Sequence, residues 1–207
     1  MLSSQIAAKH LNDKCAVVAL DDGGVMIGAQ IASELKCVMM LLQTAEINLP
    51  LEPDPIAGIT SGGSMAYNQR YSQGELDEMV GEYYGLIEQE KLTSMHDLNH
   101  LLGKGGVMNK DLLMGHHVIL VSDGLKSALP LDLSVEFLKP LTIESIIVAT
   151  PLASVTAVDR MHIVADEIYC LSVLEDYIGT DHYYDKHDVP DHDSVIRIIE
   201  QIVSKWQ

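Results

Sequence analysis

Positive charge is scarce in this chain: 13 Lys and Arg face 30 Asp and Glu, a formal net charge of −17 over 207 residues. Nucleic acid and anionic membrane surfaces are bound through basic footprints, so neither is an expected partner. Cysteine is rare too. Cys15, Cys37 and Cys170 are too few and too scattered for a disulfide framework, and none has the Cys-x-x-Cys spacing of a zinc or redox site. They read as small buried apolar residues of a reducing compartment. Long apolar runs are missing: the longest, Cys37 to Leu42, is far short of the roughly 20 residues that span a bilayer. The N-terminal stretch around Lys9 and Lys14 also lacks a signal-peptide core. The expected setting is the cytoplasm. What remains is 47% hydrophobic and 21% charged, a folding composition unlike that of a disordered chain or a coiled coil.

Apolar spacing organises the chain. Ile6, Ala7 and Leu11 recur at helical spacing behind Ser3 or Ser4 as a cap. Cys15 to Leu20 is a continuous apolar run, the pattern of a strand buried on both faces in a parallel sheet. Asp21-Asp22-Gly23-Gly24 forms a glycine turn, and Val25 to Leu35 resumes a helical period. Further short runs follow at Val38 to Leu42, Ile56 to Ile59, Val118 to Val121, Ile146 to Ala149 and Ile168 to Leu171. Helical segments are predicted at Leu129 to Leu138, Val155 to Val164 and Ser194 to Trp206. Ser61 to Ser64 is a turn. Glu75 to Leu102 reads as one long or two short helices, with Leu76, Met79, Val80, Tyr83, Tyr84, Ile87 and Leu92 on one stripe, ended by Gly103, Gly105 and Gly106. The expected fold is α/β with a doubly wound, mostly parallel sheet. No repeat or linker divides residues 1–207. They form one domain, with 64–110 as a helical insertion or arm and 175–207 as a closing segment and C-terminal helix.

Ligands of such sheets bind outside the carboxyl ends of the strands, where strand order reverses. Two loops have suitable chemistry. In Asp21 to Gly24 the paired glycines let backbone N–H groups face an anion at a helix N-terminus, although glycine turns after strands are common for purely structural reasons. Val121-Ser122-Asp123-Gly124-Leu125-Lys126-Ser127-Ala128 again carries a buried strand into an acid, a glycine and a helix start.

Together the two loops resemble the type I phosphoribosyltransferase family, in its stand-alone bacterial branch. Asp22-Gly23-Gly24 matches the family's diphosphate loop of a basic residue and two glycines, and Val121 to Pro130 matches its Val-Asp-Asp-Gly-x-Ala-Thr-Gly-Ala-Thr segment. Ile147 to Pro151 with Ala153 and Val158, Ala165-Asp166-Glu167, and Ile178-Gly179 with Tyr183, Tyr184 and Asp191 extend the likeness over roughly Ala16 to Ile199. The resemblance implies a phosphoribosyltransferase-like sheet with a small hood. It also implies ligand contacts from Asp22, Gly23, Gly24, Ser122, Asp123, Gly124, Lys126, Ser127 and Ala128, with Asp123 holding ribose, and Mg²⁺ if transfer occurs. Asp21, Asp22 and Asp123 are the candidate metal ligands.

The departures from that pattern fall at the polyanion contacts. The first of the family's paired acids is Ser122. Ala128 and Pro130 replace a glycine and a threonine, and proline has no N–H to donate. Asp22, beside Asp21, stands where the family has a cation, and Gln43-Thr44-Ala45 replaces a basic segment after the second strand. The expectation is a decayed phosphoribosyl diphosphate site in a non-catalytic or repurposed module that binds a phosphorylated sugar or nucleotide, or regulates. The alternative is an active, metal-assisted transferase with an unassigned acceptor.

Other signals have plainer readings. His182, Asp185, His187, Asp188, Asp191, His192 and Asp193 fit no metal spacing and read as a solvated acidic loop. His96 and His100 lack the glutamate of the zinc-protease motif. His116-His117 reads as a turn before a strand. Met26, Met39, Met40, Met79, Met108, Met114 and Met161 read as core filler. No histidine is placed by sequence to activate Ser122. The insertion has few cations with which to close over an anion: Arg70, Lys91, Lys104 and Lys110. The sequence leaves the oligomeric state open; many members of the family it resembles pair as dimers, and the Tyr83, Tyr84 and Leu86 face could serve a homodimer contact.

Overall fold

The computed structural model describes residues 1–102, 110–186 and 188–206. Its centre is a five-stranded sheet of β1 (Cys15–Ala19), β2 (Val38–Leu41), β6 (His117–Val121), β7 (Ser145–Ser154) and β8 (Glu167–Leu174). The order is β2-β1-β6-β7-β8, parallel throughout. All five residues of β1 are buried, which explains its unbroken apolar run. Side chains alternate between the faces of a strand. Val17, Ala19, Ile119 and Ile147 therefore meet one layer of helices, α1 (Leu2–His10), α2 (Asp22–Leu35) and α7 (His192–Trp206), through Ile6, Val25, Ile31, Val195 and Ile202. Ala16, Val18, Val118, Leu120 and Val148 meet the other, α5 (Leu129–Leu138) and α6 (Val155–Val164), through Leu131, Phe137, Ala157 and Met161. The fold is α/β with a doubly wound parallel sheet, as expected: the chain leaves β1 for β2 on one side and returns to β6 on the other, so the reversal lies between the two loops singled out in the sequence.

A second sheet stands apart from the first. β3 (Thr44–Ile47), β4 (Ala57–Thr60) and β5 (Met65–Tyr67) form an antiparallel meander followed by α3 (Gln73–Glu82) and α4 (Tyr84–Leu102). Ser72 and Glu75 form a reciprocal capping box at the start of α3. The segment after Leu42, read from sequence only as a loss of cations, is the strand β3 of this hood.

Several expectations are corrected. The first helix is capped at Met1 without a side-chain bond; Ser3 is buried within it and its Oγ donates to Glu34. Tyr84 and Leu92 are exposed and do not continue the stripe of Leu76 and Ile87, because the helix breaks at Tyr83 and its phase is lost. Met26 and Met114 are exposed, unlike Met39, Met40 and Met161. His117 is the first residue of β6, its Nδ1 2.7 Å from Ser145 Oγ. β7 runs past the expected Ala149 through Pro151 to Ser154. Its ladder with β6 ends at Val121↔Ala149, so Pro151 interrupts no pairing on that side. Gly103, Gly105, Gly106, Met108 and His187 lie outside the described residues. No helix among the described residues is long and apolar enough to cross a membrane.

Candidate functional site

The loop after β1 is taken into α2. Asp21 is the N-cap and Asp22, Gly23 and Gly24 form the first turn. The Asp21 carboxylate accepts from Gly24 N–H and from Ser122 Oγ, each at 2.5 Å, and from the Asp123 N–H. The glycines make room for neighbours within the chain. A Cβ on Gly23 would overlap the Asp123 carboxylate, and one on Gly24 would come within 2.6 Å of the Val121 carbonyl oxygen and 3.0 Å of Ser122 Cα. A carboxylate of the protein thus sits against the N-terminal turn of α2, where the partial positive charge of a helix favours an anion. Burial first, and then the adjacent Asp123 carboxylate, push Asp21 up to about 6.

The closing segment covers the same loop. Tyr184 Oη donates to the Asp123 carbonyl at 2.9 Å, and a Cβ on Gly124 would strike the hydroxyl of Tyr177, itself 2.8 Å from Thr180 Oγ1. Burial and the Asp123 carboxylate push the Tyr184 phenol up to about 12, so it is a neutral donor at ordinary pH. Beside it the first residue of α7, His192, lies 3.4 Å from Asp22 Oδ2 and 3.3 Å from Gln43 Nε2. Gln43 therefore turns its amide toward this histidine, while its own buried Oε1 has no hydrogen-bond partner.

The outer half of the loop after β6 has a different character. Leu125 pairs with the extension of β7, donating to the Leu152 carbonyl and accepting from Ser154 N–H. No bond within the described chain uses the N–H groups of Lys126, Ser127 and Ala128. Leu129 turns away and packs on Ala66 and Leu133 of the hood contact. Lys126, Ser127 and Ala128 line an open cavity of about 350 Å³, with Arg70 from the hood and Arg160 from α6 in its wall. Arg70 pairs with Asp54 at 2.9 Å through Nη1, and Arg160 with Asp132 at 2.5 Å through Nε. Two of the chain's three arginines thus converge with Lys126 on one cavity of a strongly acidic protein. Their convergence depends on tertiary contacts. The available sequence signal was the rarity of arginine.

The site residues expected from sequence therefore divide. Gly23, Gly24, Ser122 and Asp123 are buried in a network that bonds to itself. Asp22 faces His192. Lys126, Ser127 and Ala128 line the cavity. Among the described residues no group of three His, Cys, Asp or Glu side chains is placed to hold a metal ion, the candidates Asp21, Asp22 and Asp123 included. The donor set does not fit a divalent cation, since both Asp21 oxygens are already accepting from N–H and O–H groups of the chain. His182 packs edge-on against Tyr183, and Asp191 bonds Ser194 at the start of α7. Of the hood cations besides Arg70, Lys91 pairs with Glu88, Lys110 sits 4.5 Å over the Phe137 ring, and Lys104 lies outside the described residues. Burial raises the thiols of Cys15 and Cys37 to about 11 and about 12, which keeps them protonated and unreactive.

No protein-family model matches the sequence, and no curated protein matches it. Solved structures do. TT1426 from Thermus thermophilus aligns over 100% of this chain and 94% of its own, at 19% identity and a TM-score of 0.69. A hypoxanthine phosphoribosyltransferase from Staphylococcus aureus aligns over 84% of this chain and 70% of its own, at 11% identity and a TM-score of 0.49. An adenine phosphoribosyltransferase from Thermoanaerobacter pseudethanolicus covers 83% and 78%, at 15% identity and a TM-score of 0.43.

Proposed function

We propose that this protein is a non-catalytic, phosphoribosyltransferase-like binding module whose diphosphate subsite is closed and whose remaining ligand contact is a single phosphate at Lys126 to Ala128. The observation that carries the reading is the Asp123 carboxylate lodged where a side chain at Gly23 would be, at the helix end that a diphosphate would need. A polyanion brought there meets Asp21, Asp22 and Asp123 together. Each unit-charge pair at 4 Å costs about 4 kcal/mol at an effective dielectric of about 20, and the residues present offer no metal cage to offset it. Tyr177, Thr180 and Tyr184 would also have to leave. The outer loop keeps uncommitted N–H groups, and Arg70, Lys126 and Arg160 stand beside Asp54 and Asp159 in its cavity wall, a mixed setting that suits one phosphate of a phosphorylated sugar or nucleotide better than a diphosphate.

Isothermal titration with phosphoribosyl diphosphate and magnesium tests the reading. The expected outcome is no saturable heat at micromolar concentrations and no release of diphosphate with a panel of purine and pyrimidine bases. Micromolar binding or base-dependent diphosphate release overturns it.

A further inference from the structure

The central sheet ends in two unlike edges. β2 is four residues long, and three of the four are buried. β8 is eight residues long, and no strand among the described residues pairs with its outer side. Proteins guard an edge of that length with proline, lysine, a bulge or a covering segment, because its unpaired N–H and C=O groups invite another chain. From Ile168 to Leu174 there is neither a proline nor a charged residue. The offset to β7 stays constant from Ile147↔Glu167 to Ser154↔Leu174, so no bulge turns the edge away. Tyr169 packs beneath the layer of α1 and α7, but further along the same face Leu171 and Val173 are 39% and 53% exposed.

Charge is distributed unevenly along this edge. At its start Glu167 is already engaged: Lys9 pairs with one oxygen at 2.7 Å, and His10 and Tyr169 bond the other, each at 3.1 Å. Asp166 accepts from the Ile146 N–H. At the far end Glu175 and Asp176 are exposed, and no ion pair or hydrogen bond among the described residues engages their carboxylates. The edge is therefore an uncharged strip with two free acids at one end. A second copy of this chain suits it poorly. Antiparallel pairing about a two-fold axis brings Glu175 and Asp176 of one copy toward Asp166 and Glu167 of the other, between molecules that each carry a net charge of −17, and like charges across a strand pair oppose the pairing.

We propose that the outer edge of β8 docks an extended segment of a partner protein as a sixth strand. The segment is an uncharged run of apolar and β-branched residues preceded by Lys or Arg. Main-chain bonds to the free edge supply the affinity, as in strand addition generally. Alternate side chains of the segment cover Leu171 and Val173, and in an antiparallel approach its basic end meets Glu175 and Asp176. A segment of about five or six residues, the usual length of a strand, fills the span. β7 stands between this edge and β6, so the surface is separate from the loop at Lys126 to Ala128.

Fluorescence anisotropy of a labelled peptide, Lys-Arg-Val-Thr-Val-Thr-Val, titrated with the full chain tests the proposal. The peptide should bind saturably and slow amide hydrogen exchange from Ile168 to Leu174 while leaving Val38 to Leu41 unchanged. Two versions N-methylated at alternate residues in opposite phase should differ at least tenfold in affinity, because only one edge of an added strand faces β8. Replacing Lys-Arg by Glu-Glu should weaken binding about tenfold, and Glu175→Lys with Asp176→Lys should restore the Glu-Glu peptide. Val173→Lys, at an exposed side chain, should weaken the first peptide about tenfold with its unfolding midpoint unchanged. No saturable binding at millimolar peptide, equal binding of the two N-methylated versions, or exchange protection outside β8 overturns the docking edge. Indifference to both charge swaps overturns the basic partner. Concentration-dependent dimers in sedimentation that Val173→Lys abolishes overturn it in favour of a second copy of the chain.

Discussion

Two loops leave the same edge of one sheet, after β1 and after β6, and meet opposite fates. Around Asp21 to Gly24, the acids of one loop satisfy the backbone of both, and the closing segment seals the result with Tyr177 and Tyr184. A few residues further along the second loop, from Lys126 to Ala128, the backbone stays uncommitted and the neighbouring side chains mix Arg70, Lys126 and Arg160 with Asp54 and Asp159. The sheet geometry is the same for both. The difference lies in which charge the sequence delivers to each loop and in whether distant elements cover it, and this contrast separates a fold from the function it hosts.

The contrast can be broken most forcefully on the open side. Arg160→Met would strand Asp132 as a buried, uncompensated charge, which should cost about 3 to 5 kcal/mol of stability. Adding Asp132→Leu should restore most of the loss, and urea unfolding of the single and double variants measures both. On the closed side, Gly24→Ala pushes a methyl into the Val121 carbonyl and the Ser122 backbone, neither of which can swing away. Overpacking of this kind should lower stability by about 1 to 3 kcal/mol. Gly23→Ala meets only the Asp123 side chain, which can rotate, so its unfolding midpoint should fall less. Equal effects of the two alanines would mean that Asp123 is as fixed as the backbone.

The smallest effect is in the pH profile. The pKa of Asp21 is raised from 3.8 to about 6 on folding, so between those values the native state holds more proton than the unfolded chain. Its contribution therefore falls as pH rises through that window and is constant above it. Glu167 behaves in the opposite way: burial would raise it, but hydrogen bonds from Lys9, His10 and Tyr169 bring it from 4.5 down to about 2. Its contribution is present above 4.5 and is lost as pH falls toward 2. Asp21→Asn should flatten the first slope and leave the second, as read by thermal unfolding across acid pH. A persisting slope would assign the proton uptake to another group.

Much of this was legible in the residues, for reasons that differ by region. β1, β2 and β6 are buried on both faces, so their runs announce themselves, and α5 and α6 fall where their apolar periods place them. β3 and β5 are short antiparallel strands of the hood with mixed faces, and Thr44-Ala45-Glu46-Ile47 offers no run to detect. The site divides in the same way. Local chemistry singled out Asp22, Gly23, Gly24 and the segment from Ser122 to Ala128. Gln43 was noted only as a missing cation, His192 only within an acidic loop, and Arg160 not at all. Each acts through a partner distant in sequence, and no local pattern encodes such a pairing.

The strand order also dictates a sequence of events in time. β1 is synthesised first yet occupies an interior position, where Val17 must pair with both Met39 and Ile119. His10, at the end of the first helix, is bonded to Glu167, 157 positions away. A nascent chain leaving the ribosome can pair Val17 with Met39 early, but the contacts with Ile119 and Glu167 wait until most of its length has emerged, and non-local pairing of this kind slows assembly. The apolar surface of Cys15 to Ala19 must wait for its neighbours, and the dense negative charge of the chain around it helps to keep waiting molecules apart.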